Sequence, residues 1–346
     1  MNRLMQHDVS CAGKHASAAG RRRFLRAGAA GLATLSSLSF GQRADAARAD
    51  SMRILCSGPA GSIPDLIARA VADQLFITAG LRAVVDNRPG AAGQISVGAL
   101  KAASADGSTL LLAQGAIATV YPYLYAKLAY DAAADLQPVS LATEMLLGLA
   151  IGPAVPADVT TLAEFIAWMR EHPVRANIGS PGTGTLPHLL AAMLLRKAGV
   201  AWQHVAYSGG PPAVTGLLGG QIAALVLPEG LLRQHHASGR ARVIATSGPA
   251  RSAFLPGVAS FVEQGYAELI VQEWFAFFAS GGVQKSTVET LSLALRQAIA
   301  RPEVSAAFAQ AGMTATSSLP ASLAARIVRE QQYWQPVLRA NDIRAD

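Results

Sequence analysis

Short apolar runs alternate along the chain with longer stretches in which apolar residues recur every three or four positions. That alternation predicts βαβ units around a mostly parallel sheet. Residues 52–57 read as the first strand and 64–78 as a helix whose Leu66, Ile67, Ala70, Val71 and Leu75 share a face. A strand over 82–86, a helix over 93–102 and a strand over 109–113 complete one domain's worth of alternation. The pattern then restarts: helix 161–170, strand 176–179, helix 185–198, strand 203–206, helix 211–218 and strands 221–227 and 241–246.

Two segments, 151–156 and 274–281, read as crossings between these halves. Residues 286–341 carry three helical patterns and no strand, with Pro302 and Pro320 near helix starts, where a missing N–H costs nothing. Helices with no strand of their own need a sheet to cover, so this segment is expected to return to the first domain. The expected fold is α/β with two lobes, each a mostly parallel sheet flanked by helices, joined by two hinge crossings. Lobe 1 takes residues 50–152 and 280–346, and lobe 2 takes 153–279. No repeat of fixed period is present, which excludes solenoids and propellers.

The first 49 residues stand apart. Arg21-Arg22-Arg23-Phe24-Leu25 precedes a charge-free run from Ala27 to Gln42, and Ala44-Asp45-Ala46 and Ala47-Arg48-Ala49 follow. A basic head, a short apolar run and small residues at A-x-A positions are the layout of an export signal, here of twin-arginine type. The run falls short of the roughly 20 strongly apolar residues that a membrane span needs. Cleavage is expected after residue 46 or 49, with the periplasm as destination. Cys11 lies before the apolar run and so is no lipid-attachment cysteine.

Removing that segment changes the charge. It holds eight Lys/Arg against Asp8 and Asp45, hence +6 of the formal +7, and leaves 21 basic against 20 acidic side chains. The remainder has no electrostatic footprint for nucleic acid. It is long enough for one large or two medium α/β domains, and none of its apolar runs reads as a stable membrane insertion. Cys56 is its one cysteine, which rules out an internal disulfide and argues against a cysteine zinc site. Ending a buried strand, Cys56 is expected to be packed and inert.

Candidate chemistry sits where strands meet loops rich in Gly, Ser and Thr. These loops are Gly58-Pro59-Ala60-Gly61-Ser62, Gln114-Gly115, Gly179-Ser180-Pro181-Gly182-Thr183-Gly184-Thr185 and Tyr207-Ser208-Gly209-Gly210. In open α/β sheets ligands lie beyond the carboxyl ends of strands, where helix N-termini present free N–H groups suited to a carboxylate. The 179–184 loop matches neither G-x-G-x-x-G nor G-x-x-x-x-G-K-[ST], so a nucleotide site is not expected. No G-x-S-x-G elbow and no H-E-x-x-H is present. His235-His236 read as an exposed helix end rather than a metal pair. His188 either donates to a ligand or caps local backbone, and Trp274 and Phe275 read as core. No cofactor is expected.

Taken in order, these loops resemble the substrate-binding proteins of tripartite tricarboxylate transporters, the Bug-type periplasmic receptors. The resemblance runs from Arg53 to Ile343. Its strongest stretches are Asp86-Asn87-Arg88-Pro89-Gly90-Ala91-Ala92-Gly93, Ala105-Asp106-Gly107-Ser108-Thr109-Leu110-Leu111 and Tyr130-Asp131 through Asp135-Leu136-Gln137-Pro138-Val139-Ser140, with further matches at Gly179-Ser180-Pro181-Gly182-Thr183-Gly184 and Val205-Ala206-Tyr207-Ser208-Gly209-Gly210-Pro211-Pro212-Ala213. It implies a two-lobed receptor, not an enzyme, that closes on a small organic carboxylate and delivers it to a membrane permease, working as a monomer.

The binding residues expected on these grounds are Pro59, Ala60, Gly61, Ser62, Asp65, Gln114, Ser180, Gly182, Thr183, Gly184, His188, Tyr207, Ser208, Gly209 and Glu229. The chain departs from the family pattern twice. Its first loop is one residue longer, with Pro64 at the helix start, and Ala223 and Leu227 stand where the family often carries Asp, followed by Pro228-Glu229. Two rival readings keep the scaffold: an exported hydrolase or isomerase, which requires a Ser, His or Asp constellation in the cleft, and a sensor serving a signalling partner.

Overall fold

The computed structural model of the chain describes residues 51–340 and 343–345; the export-signal reading of residues 1–49 lies outside them. Strands β1 (Ser51–Cys56), β2 (Arg82–Asn87) and β3 (Thr109–Gln114) alternate with helices α1 (Ile63–Ala79) and α2 (Gln94–Lys101). Two helical turns, Ala116–Thr119 and Tyr121–Leu124, then lead towards the 16-residue strand β4 (Leu136–Ile151). Beyond it come α3 (Leu162–Glu171), β5 (Asn177–Ser180), α4 (Leu186–Ala198), β6 (Gln203–Ala206), α5 (Gly210–Leu218), β7 (Ala224–Pro228), α6 (Glu229–Ala237) and β8 (Arg242–Thr246). The chain closes with β9 (Gln272–Ser280), α7 (Lys285–Ile299), α8 (Pro302–Gln310), the short β10 (Thr314–Ala315) and α9 (Pro320–Ala340).

Strand order is β2-β1-β3-β9-β4-β7-β5-β6, with β8 and β10 also on β4. β1 is parallel to β2 and β3, and β5 to β6 and β7, as βαβ connections require. Between the two parallel groups β9 and β4 run antiparallel. Residues 136–146 of β4 pair with β9, and residues 147–151 pair with β7 and β8.

β4 therefore changes its pairing partner from β9 to β7 between Leu146 and Leu147, a few residues before the 151–156 segment that was expected to be a crossing. Likewise the 274–280 segment, read from sequence as a crossing, is the body of a strand held between β3 and β4. The unbroken run Trp274-Phe275-Ala276-Phe277-Phe278-Ala279 has no alternation to read because both of its faces are buried. Pro138 lies inside β4. The ladder shifts register between Pro138 and Ser140, which accommodates a residue with no N–H to donate.

Alternate residues of the central strands serve opposite helix layers. Leu110, Leu112 and Phe277 pack with Ile67 of α1 and Leu295 of α7 on one face. On the other, Leu111, Trp274 and Phe278 pack with Tyr121 and with Trp334 and Leu338 of α9. Each such fully buried side chain is worth about 1.5–3 kcal/mol. The three C-terminal helices thus lie with the first group of strands. Helix ends follow local chemistry: α3 starts on a Thr161–Glu164 capping box, and α1 stops at Gly80, whose φ of 67° suits a left-handed cap. No helix among the described residues is long and apolar enough to cross a membrane.

Candidate ligand cleft

A cavity of about 380 Å³ opens beyond the carboxyl ends of the parallel strands. One wall comes from the loop after β1 (Ser57, Gly58, Pro59, Ser62), the loop after β2 (Pro89 to Gly93), Gln114 at the end of β3, and Glu273 and Phe275 on β9. The other comes from the loop after β5 (Pro181, Gly182, Thr183, Thr185), the loop after β6 (Tyr207, Ser208, Gly209) and the end of β7 (Leu227, Pro228). The residues brought together as expected are Pro59, Ser62, Gln114, Gly182, Thr183, Tyr207, Ser208 and Gly209.

The rest of the expected set does not line the cavity. Asp65 accepts from the Gly61 N–H at 2.9 Å, from Arg69 at 2.9 Å and from Asn87 at 3.0 Å, while Asn87 also donates to the Gly58 carbonyl. Burial would raise its carboxyl, but these hydrogen bonds outweigh burial and hold it below the usual range. Asp65 thus ties the first loop to β2, and neither it nor Ala60 and Gly61 line the cavity.

Ser180 is 1 % exposed, and its Oγ lies 3.0 Å from the Gly182 carbonyl and 2.8 Å from His204 Nε2. The His204 ring stacks on His188 at 3.8 Å, and His188 Nδ1 accepts from the Gly184 N–H at 3.1 Å. Of the two roles open to His188, this is the backbone cap. Burial pushes both rings down, His188 to about 3 with the His204 charge adding to it, and His204 to about 4. A serine beside a histidine is the pair that a hydrolase would need. Here the serine does not line the cleft, and among the described residues no carboxylate bonds the far side of the histidine.

Glu229 lies away from the cleft, on a second pocket with Arg251 and Ser252. It is 1 % exposed, it accepts from the Ser252 hydroxyl at 2.6 Å, and its other oxygen has no partner. Burial raises its carboxyl above the ordinary value despite Ser252 and Arg233.

Sequence reasoning missed three contributions to the cavity. Residues 89–93 were noted only as a family match, yet they form a wall. Ala91 and Ala92 hold φ of 45° and 51°, and the Gln114 amide and the Tyr121 hydroxyl both donate to the Ala92 carbonyl. Left-handed non-glycine residues cost on the order of 1 kcal/mol or more each, so the two donors are what fix the turn. The glycine-flanked Pro89-Gly90-Ala91-Ala92-Gly93 was the available signal. Phe275 lines the cavity, whereas Trp274, its neighbour, points to the other face and donates to Glu330 at 2.8 Å. Glu273 is the third, and nothing local in sequence marks it.

The electrostatics are those of dipoles rather than charges. α1, α4 and α5 all begin at the cavity, and none has its first turn capped by a side chain, unlike α3. The first turn of a helix leaves N–H groups without an intrahelical carbonyl, here less those removed by Pro64, Pro187, Pro211 and Pro212. Among the described lining residues there is no Lys, Arg, His or Asp, and Glu273 is the one carboxyl. The two walls touch at the rim. Tyr125 donates its hydroxyl to the Thr183 carbonyl at 2.9 Å, and a methyl placed on Gly209 would sit 3.0 Å from the Pro59 ring.

Other candidates resolve simply. Burial drives the Cys56 thiol up to about 11, leaving it inert. His235 and His236 end α6, His235 beside Arg240 and His236 accepting from the Val243 N–H. No group of three metal-ligating side chains occurs among the described residues.

Comparison with known proteins adds the relationship. A family model described as the tripartite tricarboxylate transporter family receptor matches residues 67–342. Protein BugT of Bordetella pertussis is 32 % identical over 86 % of this chain and 90 % of its own length. A solved structure described as a periplasmic transporter superposes with a TM-score of 0.80 at 27 % identity, covering 86 % of this chain and 98 % of that one. MatC of Rhodopseudomonas palustris with bound malate shares the fold, with a TM-score of 0.78 at 24 % identity over 83 % of this chain and 98 % of that one.

Proposed function

This chain belongs to the tripartite tricarboxylate transporter receptor family, and we propose that it is exported and captures a small organic carboxylate between its lobes for a cognate membrane permease. The observation that carries the reading is the convergence of three helix N-termini without side-chain caps on one cavity of about 380 Å³. Free N–H groups at helix starts are a ready site for an anion. Hydroxyls of Thr183 and Ser208 supply further donors, the Ser62 hydroxyl being spent on the Pro59 carbonyl at 2.6 Å, and the Pro and Leu side chains of the walls suit a short carbon chain.

The lobes in this proposal follow strand pairing: 50–146 with 272–346, and 147–271. Closure about Leu146-Leu147 and Val271-Gln272 would trap the ligand and present the surface that a permease reads, a population shift set by tighter binding to the closed form. The arginine-rich start of the chain and the small residues up to position 49 support export to the periplasm.

The test is a thermal-shift panel of mono- and dicarboxylates, amino acids and aromatic acids on the purified protein. Stabilisation by at least one carboxylate is expected. No stabilisation by any acid, together with turnover in a hydrolase panel, would sink the reading.

A further inference from the structure

Glu273 poses a physical problem for a carboxylate receptor. It is 4 % exposed, lines the cavity, and is held on β9 between β3 and β4, where its backbone pairs with Met145. An ionised carboxylate there would repel an anionic ligand, and no basic side chain among the described lining residues would compensate it.

We propose that Glu273 contacts the ligand as a neutral carboxylic acid, donating its proton in a hydrogen bond to a ligand carboxylate oxygen, so that capture is linked to one proton. This rests on the receptor reading above and assigns the site's specificity: an acid group is accepted, and a ligand that places an ammonium against β9 is not.

Several groups bear on this carboxyl. From α9, Glu330 disfavours its ionisation and Arg326 favours it. Arg326, however, is shared: it pairs with Glu144 of β4, pairs with Glu330 at 2.8 Å, and covers the Trp274 ring at 5.0 Å. From the turn after β3 comes the buried Tyr121 hydroxyl, itself pushed far above its ordinary value. One Glu273 oxygen accepts from the Trp274 N–H at 3.2 Å, which favours the charged form. Burial outweighs these and pushes the carboxyl up to about 8. A neutral acid at pH 7 is a donor that an ionised one cannot be.

The proton stays on or between the two oxygens, and no other chemistry is needed. Titration calorimetry with malate and adipate, both fully ionised from pH 7 upwards, tests it between pH 6.5 and 9.5. Wild-type Kd should be flat to about pH 7.5 and about tenfold weaker at pH 9 than at pH 7, because the donor form is then about a tenth of the population. Runs at pH 9 in two buffers of different ionisation enthalpy should report uptake of close to one proton.

Glu273→Gln, which keeps an N–H donor, should bind within about threefold of wild type with no pH dependence over this range, and Glu273→Ala should lose about tenfold. An unchanged or tighter wild-type Kd at pH 9, no proton uptake, or a Gln variant that keeps the wild-type pH profile would each overturn the inference while leaving the receptor reading intact. If no acid of the carboxylate panel binds at any pH, the receptor reading fails and this inference falls with it.

Discussion

The Tyr125 hydroxyl donates to the Thr183 carbonyl at 2.9 Å, joining the helical turns that follow β3 to the loop that follows β5. These segments share no strand ladder, so the bond spans the mouth of the cleft. Tyr125→Phe should leave the ligand-free Tm within about 2 °C and weaken ligand affinity about fivefold, the equivalent of one net hydrogen bond of about 1 kcal/mol. Calorimetry with any carboxylate that binds checks it. An unchanged Kd would mean that the bond is not kept in the closed form.

Gly209 faces Pro59 across the same opening. Its φ is 117°, and an added Cβ would lie 3.0 Å from two Pro59 ring carbons. Gly209→Ala should cost about 1–3 kcal/mol through backbone strain and should also hold the walls apart. The expected result is a lower Tm, read by scanning calorimetry, and a ligand-induced Tm rise that shrinks by more than half.

The stacked His188 and His204 make stability depend on pH with a definite sign. Burial depresses both, to about 3 and about 4, so the folded protein binds fewer protons than the unfolded chain between those values and about 6.5. Their contribution is fully present above pH 6.5 and is lost as pH falls towards 4 and 3, on the order of 2 kcal/mol for each ring by pH 5. Glu273 acts in the opposite sense: raised from its ordinary 4.5 to about 8, it stabilises fully below pH 4.5 and progressively less as pH rises to 8. Urea midpoints from pH 4 to 9 should therefore pass through a maximum. Glu273→Gln should flatten the alkaline side and steepen the acid side above pH 4.5, whereas a double His188→Gln, His204→Gln variant should remove the loss on the acid side and leave the alkaline side unchanged.

Glu229 is the sharpest separation between stability and binding. Its Oε2 is buried without a partner, and Ser252 bonds its other oxygen. Ser252→Ala should cost about 1–3 kcal/mol by leaving that oxygen unsatisfied as well. Glu229→Gln should leave Kd within twofold. A tenfold loss of affinity would bring Glu229 back into the site.

Local sequence was enough to find the loops because glycine, proline and hydroxyl residues at strand ends have strong conformational reasons to be there. Hence Pro59, Ser62, Gly182, Thr183 and Tyr207 to Gly209 were legible before any coordinates. It was not enough to tell a residue that faces the cavity from one that supports the loop behind it. Asp65 and His188 satisfy backbone N–H groups of the binding loops, and in sequence they look like ligand contacts because they sit beside them.

The alternation of short apolar runs with amphipathic segments determined the α/β class and the parallel groups at the two ends of the sheet. Those are consequences of period, composition and turn chemistry, which act within a few residues. Tertiary structure alone decided where β4 changes partners, at Leu146-Leu147, with no break in its own backbone. It alone decided, too, that Glu273 reaches the cavity while Trp274 turns away to Glu330. The run 274–279 is apolar throughout and buried on both faces, so only the neighbours supplied by β3, β4 and α9 set which side of β9, with Glu273 and Phe275, opens on the cavity.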